Sequence, residues 1–279
     1  GAKLAKLTQA LAYKGIRLQG PMKPRQRTTA ILQETQERAR QNSTRLRPLS
    51  TLWKSIRSKD ISKQIQDFLW KGLHGAHRVG TYWSYIPDCE DRILCHLCGE
   101  EDSLRHILCE CEAPGQKLAW RLAETLWRRR HNTWTKINLE TVLSVGMMGF
   151  EKDHLPKEGG VDRLYRILVS ETAYLIWKIR CERVIQREND PDRFHSTVEI
   201  AHRWMAMMNV RLTIDRQMTR RSLSKRALKG KIVKSTWHKV IDDEESLPEN
   251  WLKAKEVLVG SVDQEVLLDM DIDEPHTTG

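Results

Sequence analysis

The stretch that organises this chain is residues 95–111, CHLCGEEDSLRHILCEC. Written as ligand spacing it is C-x2-C-x7-H-x4-C, starting at Cys95 and Cys98 and continuing to His106 and Cys111. Three thiolates and a neutral imidazole are a donor set suited to tetrahedral Zn2+. A two-residue gap lets both sulfurs of a CxxC turn converge on one ion. Gly99 follows directly and can take the positive φ that aims backbone amides at the sulfurs. The polar segment 99–105 brings the chain back to present His106. Four N/S donors fill the coordination sphere, so the spacing points to a structural rather than a catalytic site. The closing donor has two candidates. On a continuous helix His106 and Cys109 share a face at i and i+3, whereas Cys111 requires the helix to stop or unwind. Knuckle spacing favours Cys111. Cys89 and His96 fall outside the pattern.

Working outward, hydrophobic spacing gives helices on both sides. Upstream, Ile61, Ile65, Phe68, Leu69 and Leu73 recur at helical intervals, with Asp60 expected as N-cap and Gly75 as a left-handed stop. Downstream, Pro114 suits a first helical turn, Leu118, Leu122 and Leu126 follow four apart with Trp127 beside them, and RRRH closes the helix at its negative end. Asn138 is expected to cap a short helix running to Gly146. A long amphipathic helix is expected over 161–188, with Leu164, Ile167, Leu168, Leu175, Ile176 and Ile179 inward. Ser196 is expected to cap another running to about 219. Near the start, 3–14 reads as a short helix ending at Gly15, 16–28 as a Gly/Pro-rich linker and 29–41 as a polar helix.

The expected fold is therefore mainly α, a helical bundle-like domain with an inserted small CCHC zinc knuckle. Four segments are anticipated: 1–50, basic helix and linker; 51–135, helix–knuckle–helix; 136–220, long helices; and 221–279, a basic segment and disordered acidic tail.

Charge is unevenly placed along the 279 residues. Residues 1–60 carry 14 Lys/Arg against 3 Asp/Glu, 61–200 carry 20 against 21, 201–240 carry 11 against 1, and 241–279 carry 2 against 12. Basic blocks of this size attract polyanions, so RNA and DNA are the candidate partners. Arg128, Arg129 and Arg130, with Arg220, Arg221, Lys225 and Arg226, are the candidate phosphate contacts; a helix C-terminus that favours cations is the alternative for the first three, and a solvated face for the others. No apolar run reaches the length of a membrane span. The opening residues lack the apolar block of a secretory signal and a starting Met, as expected of a processed chain or an excerpt. Five of six cysteines crowd into one stretch, which argues for metal binding in a reducing compartment rather than a disulfide scaffold. Of the ten Trp, most lie on apolar helical faces, where core packing outweighs base stacking. Cys181 has no evident general base.

With the knuckle and its flanks read, residues 52–111 (LWKSIRSKDISKQIQDFLWKGLHGAHRVGTYWSYIPDCEDRILCHLCGEEDSLRHILCEC) resemble the reverse-transcriptase zinc-binding domain found at the C-terminal end of LINE-type non-LTR retrotransposon polyproteins, fungal ones most of all. The shared features are FLWKGLH, the CxxC turn and the HILCEC closure. Segments 161–195 and 7–17 resemble the flanking regions of the same elements. The resemblance implies Cys95, Cys98, His106 and Cys111 as ligands to Zn2+. It also implies upstream reverse-transcriptase and RNase H domains, and a role in holding template RNA or target DNA. The basic run at 216–234 reads as a phosphate-tracking segment or a nuclear address, so the expected setting is intracellular and nuclear. No Y-x-D-D run is present, and residues 1–60 offer only Glu34, Glu37 and Asp60 as carboxylates. The expectation is a non-catalytic module. A structural or protein-interaction zinc module, or a fragment of an RNase H-type nuclease, are the alternatives.

Overall fold

A computed structural model describes residues 7–20, 25–41, 48–150 and 159–260. The described residues are mainly α: α1 (Gln9–Leu18), α2 (Gln26–Gln41), α3 (Leu49–Ser55), α4 (Lys63–Leu73), α5 (Gln116–Arg128), α6 (Leu139–Leu143), α7 (Gly159–Cys181), α8 (Thr197–Gln217) and α9 (Gly230–Trp237). Among them there is no strand ladder, only isolated bridges between Leu94 and Glu101 and between Ile241 and Val259. No described helix is long and apolar enough to cross a membrane.

Helix α7 is the central member. Leu164, Tyr165, Ile167, Leu168, Ile176 and Ile179 are buried along it, and α4, α5, α8 and α9 all pack against it. Each fully buried Leu or Ile is worth about 1.5–3 kcal/mol of transfer free energy, so this helix anchors the body. Helix α5 contributes Leu118, Leu122, Leu126 and Trp127. Gly115, at φ +111, precedes it as cap, so Pro114 lies just outside the helix rather than in its first turn. Asn138 caps α6, its side chain accepting from the Thr141 amide at 2.8 Å, and Ser196 caps α8 through the Glu199 amide at 3.1 Å. Helix α6 stops at Leu143, and a 3-10 turn over Val145–Met147 carries the chain past Gly146. Helix α7 stops at Cys181 and passes into a π turn, Glu182–Gln186.

Several expectations are corrected. Asp60 does not cap α4; Ser62 holds that position. The Asp60 carboxylate instead accepts from Arg163 at 2.8 Å and Arg166 at 3.1 Å, because two charge-assisted bonds outweigh one amide. Those guanidiniums hold its pKa below the ordinary value against the opposing effect of burial. Helix α1 runs through Gly15 to Leu18 and buries none of its residues, and α2 starts at Gln26, inside the expected linker. Helix α3 has no counterpart in the sequence reading. The region past 220 is not a weakly patterned appendage: α9 packs closely on α7, with Val233 and Trp237 buried. Gly160 makes that approach possible, since a Cβ there would sit 2.4 Å from the Ser235 backbone. Among the described residues one apolar core runs from Ala39 to Val259. The acidic tail beyond 260 lies outside the described residues, as do the opening residues of the expected first helix.

A buried ionic cluster ties α7, α8 and α9 to the loop that precedes α4. Arg163 forms a bidentate pair with Asp215 at 2.5 and 2.7 Å and also reaches Asp60. The Trp237 indole donates to Asp215 at 2.9 Å, and Arg211 donates to the Asp60 carbonyl at 2.8 Å.

Candidate metal centre

Between α4 and α5 the chain folds as a small irregular unit. Gly75, at φ +57, ends α4 as expected. Farther on, the Cys95 amide bonds the Glu100 carbonyl at 2.7 Å and the Gly99 amide bonds the Cys95 carbonyl at 2.9 Å. Gly99 takes φ +70, which closes the turn. This is the CxxC loop the spacing predicts, held at its base by the Leu94–Glu101 bridge.

The return arm solves the register of the closing donor. Residues His106–Glu110 form a π turn, and the Cys111 amide bonds the His106 carbonyl at 2.8 Å across five residues. Widening the turn by one residue brings position i+5 beside position i, after which Cys111 leaves in extended backbone (φ −67, ψ 132). A regular α-turn would have offered Cys109. That residue instead packs against the main core, where burial pushes its thiol up to about 12.

Cys95, Cys98, His106 and Cys111 thus converge, with their donor atoms all within 4.8 Å of one another. The Cys111 sulfur lies 3.9 Å from both Cys95 and Cys98. Two thiolates about 2.3 Å from a tetrahedral zinc stand about 3.8 Å apart, so the sulfurs already sit at the edges of such a polyhedron. His106 Nε2 is buried and has no hydrogen-bond partner, an expensive arrangement for an imidazole unless an ion takes that lone pair. The Glu112 amide donates to Cys98 Sγ at 3.3 Å and the Ala113 amide to Cys111 Sγ at 3.4 Å. The pKa of Cys95 is lowered to about 3, first by the Cys111 thiol and, against burial, by the amides of Cys98 and Leu97. Cys111 is correspondingly pushed up by Cys95 and by burial. The four residues can therefore hold a metal ion.

The centre is fastened to the helical body on two sides. The Leu108 carbonyl accepts from Trp120 Nε1 at 2.7 Å and Gln116 Nε2 at 3.0 Å, both on α5. Asp102, buried, pairs with Arg180 of α7. Arg105 pairs with Glu140 of α6 at 2.5 Å.

The outer lip is acidic. Glu100, Glu101, Glu110 and Glu112 line the cleft over Cys98 and His106. That charge opposes a phosphate backbone at the centre itself. The sequence-predicted cations lie elsewhere and differ among themselves. Arg128 pairs with Glu124 at 2.6 Å and donates to the Asn132 carbonyl. Arg130 donates to the His238 carbonyl at 3.3 Å, and Arg129 lies against Gly260. These three serve the chain's own packing. Arg220, Arg221, Lys225 and Arg226 are exposed on a turn that Ser224 breaks with φ +48. The tryptophans go mostly inside: Trp127, Trp204 and Trp237 are fully buried, while Trp70 is exposed. Two features went unread in the sequence. The π turn gives no compositional signal, and Asp102–Arg180 joins residues 78 apart.

The chain matches no family model, no curated protein and no solved structure.

Proposed function

We propose that this chain is a non-catalytic module in which one Zn2+, held by Cys95, Cys98, His106 and Cys111, staples the 76–113 segment onto a helical body that binds RNA or DNA. The observation that carries the metal half is the convergence of three sulfurs and an orphaned imidazole nitrogen within 4.8 Å. Zinc suits three sulfurs and one nitrogen in a closed tetrahedron better than the harder divalent cations, which prefer oxygen. The nucleic-acid half is supported by the basic blocks at 1–60 and 201–240 and by the resemblance of residues 52–111 to the reverse-transcriptase zinc-binding domain. That resemblance also makes upstream reverse-transcriptase and RNase H domains the natural neighbours of this module, and the basic run at 216–234 makes the nucleus its natural location. Binding of this kind is electrostatic and salt-dependent.

The test is metal content per chain together with binding of RNA and duplex DNA at low salt. One zinc per chain and measurable affinity that falls steeply with salt are expected. A zinc-loaded chain with no affinity for either polymer at about 50 mM salt would refute the nucleic-acid assignment.

A further inference from the structure

The C-terminal end of α8 and the loops at 218–230 and 250–255 enclose a cleft of about 840 Å³ on which Arg216, Arg220, Arg221 and Lys253 converge. Among the described residues, none of those lining it is acidic, in contrast to the lip of the metal centre. The loop is held in shape by the Leu228 amide bonding the Met218 carbonyl at 2.8 Å. Arg216, at the cleft wall, is half-buried and donates to the carbonyls of Leu252, Ala254 and Lys255. No carboxylate pairs with it among the described residues. Burial lowers its pKa from the ordinary value. The buried arginines Arg163 and Arg180 show the opposite solution, each paired with an aspartate. A guanidinium fixed by carbonyls alone, flanked by three exposed cations, is set to receive an anion from outside.

Resting on the nucleic-acid reading above, we infer that this cleft, and not the metal centre, is where the phosphodiester backbone of a nucleic acid docks. No aromatic ring lines the cleft, so no base stacks in it. Contacts confined to phosphates position a strand without reading its sequence. Binding is therefore independent of sequence, and about equal for polymers of matched charge density.

The test compares the zinc-loaded wild type with two variants of equal charge change, Arg220→Ala/Arg221→Ala/Lys253→Ala in the cleft and Lys63→Ala/Arg78→Ala/Arg92→Ala elsewhere. All six side chains are exposed, and thermal unfolding checks that both variants fold. Each phosphate contact removed lowers the slope of log K against log salt by about 0.9 on duplex DNA. The cleft variant is expected to lose about 2–3 of slope and at least about tenfold in affinity at low salt, while the control variant binds as the wild type does. Equal losses in both variants, or none in either, would overturn the cleft while leaving nucleic-acid binding intact. A wild type that binds no polymer would overturn the functional reading itself. Uptake of inorganic pyrophosphate, abolished in the cleft variant alone, would then mark a small-phosphate site and overturn the nucleic-acid inference.

Discussion

Cys109 and Cys111 stand two residues apart in unlike surroundings. Cys109 faces the apolar core, and burial drives its thiol up to about 12, whereas Cys111 lies 3.9 Å from two other sulfurs. The substitutions should divide accordingly. Cys111→Ser and His106→Ala each remove a donor, and zinc affinity should fall by more than about 100-fold, since changes in outer-shell partners alone cost about 10–100-fold. Cys109→Ser should keep one zinc per chain and instead lower stability by about 1–3 kcal/mol, the cost of a hydroxyl buried among apolar groups. Competition with a chromophoric chelator and urea unfolding separate the two outcomes. Glu182 offers a pH test. Arg203 pairs with it at 2.6 Å, and with His195 holds its carboxyl down at about 2 from an ordinary 4.5. A depressed carboxylate stabilises the fold above its unfolded pKa and loses that contribution as protons bind the folded form. The stability gap between wild type and Glu182→Gln should therefore be full above pH 4.5 and close as pH falls toward 2. A gap that stays constant across that window would remove the pair from the account.

Elements here are held by side chains that come from far along the chain. The Arg163–Asp215–Asp60 cluster joins α7 and α8 to the loop before α4, and Arg163 is almost wholly buried. Arg163→Met would remove the bidentate partner of Asp215 and leave it Arg211 at 3.6 Å and the Trp237 indole, so the loss should approach about 3–5 kcal/mol, the cost of breaking a buried pair. A shift in the urea midpoint reads this directly. The same long reach limits what local sequence can announce. Capping by Asn138 and Ser196, the stop at Gly75 and the inward stripe of α7 depend on neighbours within a turn or two, and their signals are plain in the sequence. Asp60 carries a capping signal too, but guanidiniums from a helix 103 and 106 residues away take its carboxylate. Helix α9 is eight residues long with two lysines and gains its place by burying Val233 and Trp237 against α7, a long-range contact that its own residues do not announce. At the metal centre the ligand types, the CxxC loop and the preference for 111 over 109 are readable in the spacing, whereas the π turn that brings Cys111 beside His106 gives no signal in the sequence.

Across the described residues, the candidate metal centre and the basic cleft are segregated. The centre sits under glutamates, while a cleft with no acidic group among its described lining lies on the C-terminal end of α8. The apolar groups around the cysteines form their own small cluster, Cys95, Cys111 and Ala113, apart from the main core. Metal removal should therefore loosen the 76–113 segment first. Chelation is expected to leave most of the far-ultraviolet helical signal while opening this segment to protease; complete loss of helix on chelation would show instead that the ion supports the entire fold. The central claim is the coordination of one ion by three sulfurs and one nitrogen. X-ray absorption at the zinc edge of the full chain tests it most directly. The account predicts one zinc per chain with three sulfur neighbours at about 2.3 Å and one nitrogen at about 2.0–2.1 Å; a chain that retains no zinc, or a shell with a different sulfur count, would contradict it.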